Sequence, residues 1–174
     1  AEAAKNAADS YGGKMREEGM FRSLVGDVME ELKRVGAAPR EAGVGHVVLA
    51  GHSGAYSVIA DILEHGRQPV DEVFLFDALY GRVNTFMPWA EAEGHHFVHW
   101  FTNTGFGPDE MSDTMMLSLR QRQIPVGLCE EESVDPTIIR ENKILFIHSP
   151  RTHNVIINNP DDFAVLLKNS YFLK

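Results

Sequence analysis

Apolar positions along the chain fall into two spacings, stripes at three and four and short unbroken runs. Phe21, Leu24, Val25, Val28, Leu32 and Val35 form the first stripe, the buried face expected of an amphipathic helix over residues 18–36. Lys33 and Arg34 stand in its last turn, where cations suit the helix dipole, and Gly36 and Pro39 close it. The first run, Val47-Val48-Leu49-Ala50, leads into Gly51-His52-Ser53-Gly54. Helical spacing then returns through Ala55, Val58, Ile59, Ile62 and Leu63, with Gly66 in the C′ position. A second run, Val73-Phe74-Leu75-Phe76, stops at Asp77. Further on, the pattern predicts a short helix around Pro88 and Trp89, a strand over 95–101, a loop over 102–108 and a helix over 109–123. Residues 126–129 read as a short strand or a buried connector, and 130–142 as a surface excursion with one helical turn. Ile144-Leu145-Phe146-Ile147-His148 is the last strand. Asn159-Pro160-Asp161-Asp162 is a helix start, with Phe163, Leu166 and Leu167 on the buried side.

Strands that are apolar throughout, rather than alternating, are buried on both faces. Alternating with amphipathic helices, they predict one α/β domain over residues 1–174, with a mostly parallel sheet, helices on both faces and right-handed crossovers. Functional groups in such sheets gather at the carboxyl ends of the strands. A net charge of −9 argues against a nucleic-acid or anionic-membrane surface. Cys129 is the only cysteine, so neither an intrachain disulfide nor a cysteine metal cluster can form. His95, His96 and His99 have no cysteine or acid in register with them, and no metal is expected. No run is long enough for a membrane span, and the alanine-rich start lacks the apolar core of a secretory signal.

Ser53 would sit on a strand-to-helix turn sharp enough to push its φ positive, flanked by the small residues Gly51, Gly54 and Ala55. Ser53, Asp77 and His153 follow successive or final strands in the order serine, acid, histidine. Gly51-His52-Ser53-Gly54-Ala55, with alanine for the last glycine, resembles the nucleophile elbow of the α/β-hydrolases, and the order of the three groups is that family's. The stretch from the helix before the elbow to the C-terminus is the part of the chain that resembles the family.

The resemblance implies an esterase-like serine hydrolase with Ser53 as nucleophile, His153 as general base and Asp77 as the orienting acid. The backbone N–H of Gly54 would be the first oxyanion donor. His52, Tyr56, Trp89 and Phe106 are candidates for lining the substrate site. The implied substrate is a small-molecule ester or acyl compound, possible as an amide, and no organic cofactor is called for. The family more often carries its acid one strand later, where this chain has Thr102-Asn103, which makes Asp109 and Asp113 the alternatives. The family's first strands and second oxyanion loop have no counterpart before Val47, so a truncated N-terminus or a partner chain completing the sheet is expected.

Simpler roles compete at each position. Ser53 could cap the helix that follows, Asp77 could form a strand-end turn, and His52 and His148 rival His153. Two other functions compete as well: a non-catalytic hydrolase-like scaffold or inactive fragment, and a cysteine peptidase using Cys129. The acidic neighbourhood Glu130-Glu131-Glu132 disfavours a thiolate at that cysteine.

Overall fold

A computed structural model describes residues 13–103, 107–157 and 162–172. Its strands are β1 (Val48–His52), β2 (Glu72–Phe76), β3 (His96–Thr102), β4 (Gly127–Glu130) and β5 (Ile144–Ser149). Its α-helices are α1 (Met20–Arg34), α2 (Ala55–His65), α3 (Val83–Glu91), α4 (Pro108–Gln121), α5 (Pro136–Glu141) and α6 (Asp162–Lys168), with 3-10 turns at Lys14–Arg16 and Glu131–Ser133. All strand pairs are parallel, in the order β1-β2-β3-β5-β4. The expected α/β class with a parallel sheet is therefore present. Residues 126–129 resolve as edge strand β4 rather than a connector. Among the described residues no helix is long and apolar enough to cross a membrane.

The unbroken apolar runs divide their side chains between two faces. Val73, Leu75, Phe97 and Phe146 join Ile59 and Ile62 of α2, Phe86 and Ala90 of α3 and Met115 and Leu119 of α4 in one cluster. Phe74, Phe76, Val98, Trp100, Leu145 and Ile147 join Ile139 of α5 and Leu166 of α6 in the other. β2 is buried along its whole length. β1 pairs with β2 alone among the described residues, and Ala50 in it is exposed.

Two expectations change. The α1 stripe is not a buried face: Phe21 is buried, whereas Leu24, Val28, Leu32 and Val35 are exposed. α1 meets the rest of the molecule near its N-terminus, where Met20, Phe21 and Val25 pack on the core, the Arg22 N–H donates to the Gly66 carbonyl at 3.0 Å and the Gly19 N–H donates to the His65 carbonyl at 2.8 Å. Gly66 does not supply a left-handed C′ residue, since its φ is −66° and the positive φ of 54° falls on Arg67. Gly66 is instead a point of close approach, where a Cβ would lie 2.5 Å from the Ile62 carbonyl oxygen and 3.1 Å from Phe21 Cβ. Asn159, Pro160 and Asp161, the expected helix start, lie outside the described residues, as does Phe106.

Candidate functional site at the carboxyl ends of the strands

Register sets the first two groups side by side. His52 pairs with Phe76, and Phe76 with Trp100, so Ser53 and Asp77 leave neighbouring strands at the same level. The ladder runs one step beyond the strands: the Ser53 N–H donates to the Phe76 carbonyl at 3.2 Å and the Asp77 N–H to the Trp100 carbonyl at 2.7 Å. Both residues then turn sharply, with φ of 56° at Ser53 and 44° at Asp77. A side chain in this region crowds its own backbone, at a cost of roughly 1–2 kcal/mol per residue, so the surrounding structure must hold the turn.

Gly51 is what allows the turn at Ser53. A Cβ on it would fall 2.7 Å from Ile59 Cδ1 and 2.8 Å from Ala55 Cβ, so strand and helix close together only because it has none. The helix begins at Ala55 with Gly54 as N-cap and no side-chain cap. Ser53 is thus not the cap of α2, which removes its simplest structural role.

Asp77 is fully buried, and its charge is met by hydrogen bonds on both oxygens. Oδ1 accepts from the Thr102 N–H at 2.8 Å, and Oδ2 accepts from the Thr102 hydroxyl at 2.9 Å. His153 Nδ1 lies 2.6 Å from Oδ2. A carboxylate can only accept, so Nδ1 carries the proton and Nε2 is the ring nitrogen able to take one. His153 lies beyond β5, in the loop between that strand and α6. His52 helps to hold the loop, with its Nε2–H donating to the His153 carbonyl at 2.8 Å and its ring 4.5 Å from the His153 ring. His148, by contrast, pairs with Glu130 at 2.6 Å at the far edge of the sheet. Asp113 is exposed on α4.

Tyr80, three residues after Asp77, completes the cluster and was not singled out by sequence reasoning. Its hydroxyl lies 3.4 Å from His153 Nδ1. Burial first, then the charge of Asp77, raises its pKa above the ordinary value, so it is a protonated donor at neutral pH. Its position in the Asp77 loop was the only signal in the sequence. A hydrogen bond joining Ser53 directly to His153 is not among those the described residues form.

Of the expected lining residues, Tyr56 is beside the cluster, 6.0 Å ring to ring from Tyr80. Trp89 is not brought there. It stacks on His95 at 4.4 Å, at the start of β3 and so at the opposite end of the sheet from Ser53. A cavity of about 340 Å³ opens between Trp100, Val134 and Val165 on the face carrying α5 and α6, and Ser53, Asp77, Tyr80 and His153 do not line it. No group of three or more histidines, cysteines or acids that could hold a metal occurs among the described residues. The Cys129 thiol is pushed up by burial and by the charges of Glu130 and Asp135. Compared with protein-family models, curated proteins and solved structures, the chain gives no significant match.

Proposed function

We propose that the chain is a serine hydrolase of the α/β-hydrolase type, cleaving an ester, or an amide, through an acyl-enzyme on Ser53. One observation carries this: His153 Nδ1 donates to the buried carboxylate of Asp77 at 2.6 Å, on the strand end next to a left-handed Ser53. A serine is a weak nucleophile until a base accepts its proton. With Nδ1–H held by Asp77, His153 has the tautomer that can take the Ser53 proton at Nε2 and later give it to the leaving group. Asp77 would then stabilise the imidazolium, and the Gly54 N–H at the start of α2 would meet the developing oxyanion. No cofactor enters this chemistry. Further strands against β1, from another segment or a partner chain, would be compatible with it.

A second function has its own support. Among the described residues Ser53 makes no direct hydrogen bond to His153, as a hydrolase-like scaffold without turnover would permit. The raised thiol pKa of Cys129 works against a cysteine peptidase.

Reaction of the purified chain with a fluorophosphonate, with the modified residue located by mass spectrometry, separates these. Labelling at Ser53, lost in Ser53→Ala and His153→Ala but kept in Cys129→Ser, is the expected result. A cooperatively folded chain that does not label would favour the scaffold.

A further inference from the structure

We infer that His52 is a positioning residue of this site, its side chain holding the loop that carries His153 to the strand end that carries Ser53. The inference rests on the serine-hydrolase function proposed above and names what sets the base against the nucleophile.

The strand itself aims the ring. Side chains alternate along β1, and Gly51 faces Ile59 and Ala55 of α2, so His52 stands on the opposite face with its partner Phe76. There it meets the loop after β5. His153 lies in a turn closed by the Val155 N–H donating to the Thr152 carbonyl at 2.9 Å. That bond does not use the His153 carbonyl, which accepts from His52 Nε2 at 2.8 Å. A carbonyl only accepts, so His52 Nε2 carries a proton and is not a rival base at that nitrogen. The two rings lie 4.5 Å apart at 31°, so His52 bears on the His153 ring as well as on its main chain.

The need for such a hold follows from exposure. Asp77 is fully buried and fixed by Thr102, whereas 27% of the His153 side chain is exposed. The bond to Asp77 fixes Nδ1, but a ring held at one atom can pivot about it and swing Nε2 away from Ser53. The hydrogen bond at the His153 carbonyl supplies a second point of attachment.

Among the described residues no direct hydrogen bond joins Ser53 to His153, so their separation is set by what holds each of them. His52 is joined to Ser53 by a peptide bond and to His153 by a hydrogen bond, which refers the base to the nucleophile itself rather than to a distant part of the fold. Proton transfer requires the two groups within hydrogen-bond reach, and a misplacement of about 1 Å can cost about 10²-fold in rate.

The test compares wild type with His52→Gln, which keeps an N–H donor the same number of bonds from Cβ, and His52→Leu, which keeps bulk and removes the donor. In His52→Leu, kcat for p-nitrophenyl acetate and the fluorophosphonate labelling rate should fall by about 10–10²-fold with little change in KM, and His52→Gln should recover most of the loss. A second readout needs no turnover. The His153 Nδ1 proton held by Asp77 should give a far-downfield proton NMR signal, identified by its absence from His153→Ala. It should broaden or vanish in His52→Leu and return in His52→Gln, which loss of packing alone would not produce. Thermal unfolding establishes that each variant is folded. A folded His52→Leu with the wild-type signal and the wild-type labelling rate would overturn the inference, although the hydrolase function stands. A His52→Gln as impaired as His52→Leu would overturn the hydrogen bond as the means of positioning. If folded wild type does not label at Ser53, the hydrolase function falls, and the positioning role falls with it.

Discussion

Ser53 and Asp77 both occupy the left-handed region, and they can do so for different reasons. An aspartate tolerates that region better than most residues, and Asp77 is further held by two hydrogen bonds from Thr102. Ser53 has no such local help and depends on the strand and helix on either side of it. The value of the Asp77 position lies in the proton it fixes. Asp77→Asn would present an amide N–H₂ or C=O to His153, and through the N–H₂ would select the tautomer with its proton on Nε2. Turnover of p-nitrophenyl acetate should then fall by about 10⁴-fold while the fold persists. Asp113→Asn, on the exposed side of α4, should leave turnover within error. The opposite ranking would remove Asp77 from the mechanism. Ser53, Asp77 and His153 were legible in the sequence because each follows a run of buried-strand character. Tyr80 and Thr102 were not. A hydroxyl in a loop, or at the end of an apolar strand, gains meaning only from the register that carries Thr102 to Asp77 and from the turn that sets Tyr80 beside His153.

At the scale of elements, the unbroken runs and three-four stripes correctly separated strands from helices, because burial on two faces and burial on one leave different periods in a sequence. They did not say which helix face would find a partner. The α1 stripe has the same period as α2, yet α1 touches the rest of the molecule only near its N-terminus, through Met20, Phe21 and Val25, and leaves Leu24, Val28, Leu32 and Val35 exposed. Nor did they say at which end of the sheet an aromatic would lie. Trp89 follows a strand in sequence, but α3 carries it back to the start of β3, where it stacks on His95. The joint of β1 with α2 at Gly51 is a tight one. Gly51→Ala would drive a methyl group to 2.7 Å from Ile59 Cδ1 and 2.8 Å from Ala55 Cβ. Overpacking of this kind costs about 1–3 kcal/mol. At about 2–4 °C per kcal/mol for a chain of this size, the loss should be plain in a thermal melt. Adding Ile59→Val removes Cδ1, so the double variant should recover part of the lost stability while the Ala55 contact withholds the rest. No recovery would mean that the close contact with Ile59 is not what limits the joint.

At the scale of the whole molecule, a histidine far from the candidate chemistry should govern how stability responds to acid. His99 is fully buried in the middle of β3, among Phe101 and Phe146. The Ser112 hydroxyl donates to the Pro108 carbonyl at 2.5 Å, so the contact of 2.9 Å between His99 Nδ1 and Ser112 Oγ is a donation from the ring. Nε2 then holds the lone pair, and it is buried with no hydrogen-bond partner. Protonating it would place a cation in the core, and burial accordingly lowers the pKa of His99 from 6.5 to about 3. The unfolded chain takes up this proton near pH 6.5, whereas the folded chain refuses it until about pH 3. Between those values the unfolded state binds more protons, so stability rises with pH, and the contribution is complete above 6.5 and lost as pH falls. From pH 7 to pH 5 this single group should remove about 2 kcal/mol, at about 1.4 kcal/mol per pH unit below 6.5. Urea unfolding of wild type and His99→Phe at both pH values measures it. The phenyl ring fits an aromatic setting and cannot titrate, so the variant should lose less stability than wild type between pH 7 and pH 5, by about that amount. Equal losses in the two proteins would mean that His99 gains its proton in the folded state as readily as in the unfolded one, and that the acid response of the molecule lies with its carboxylates.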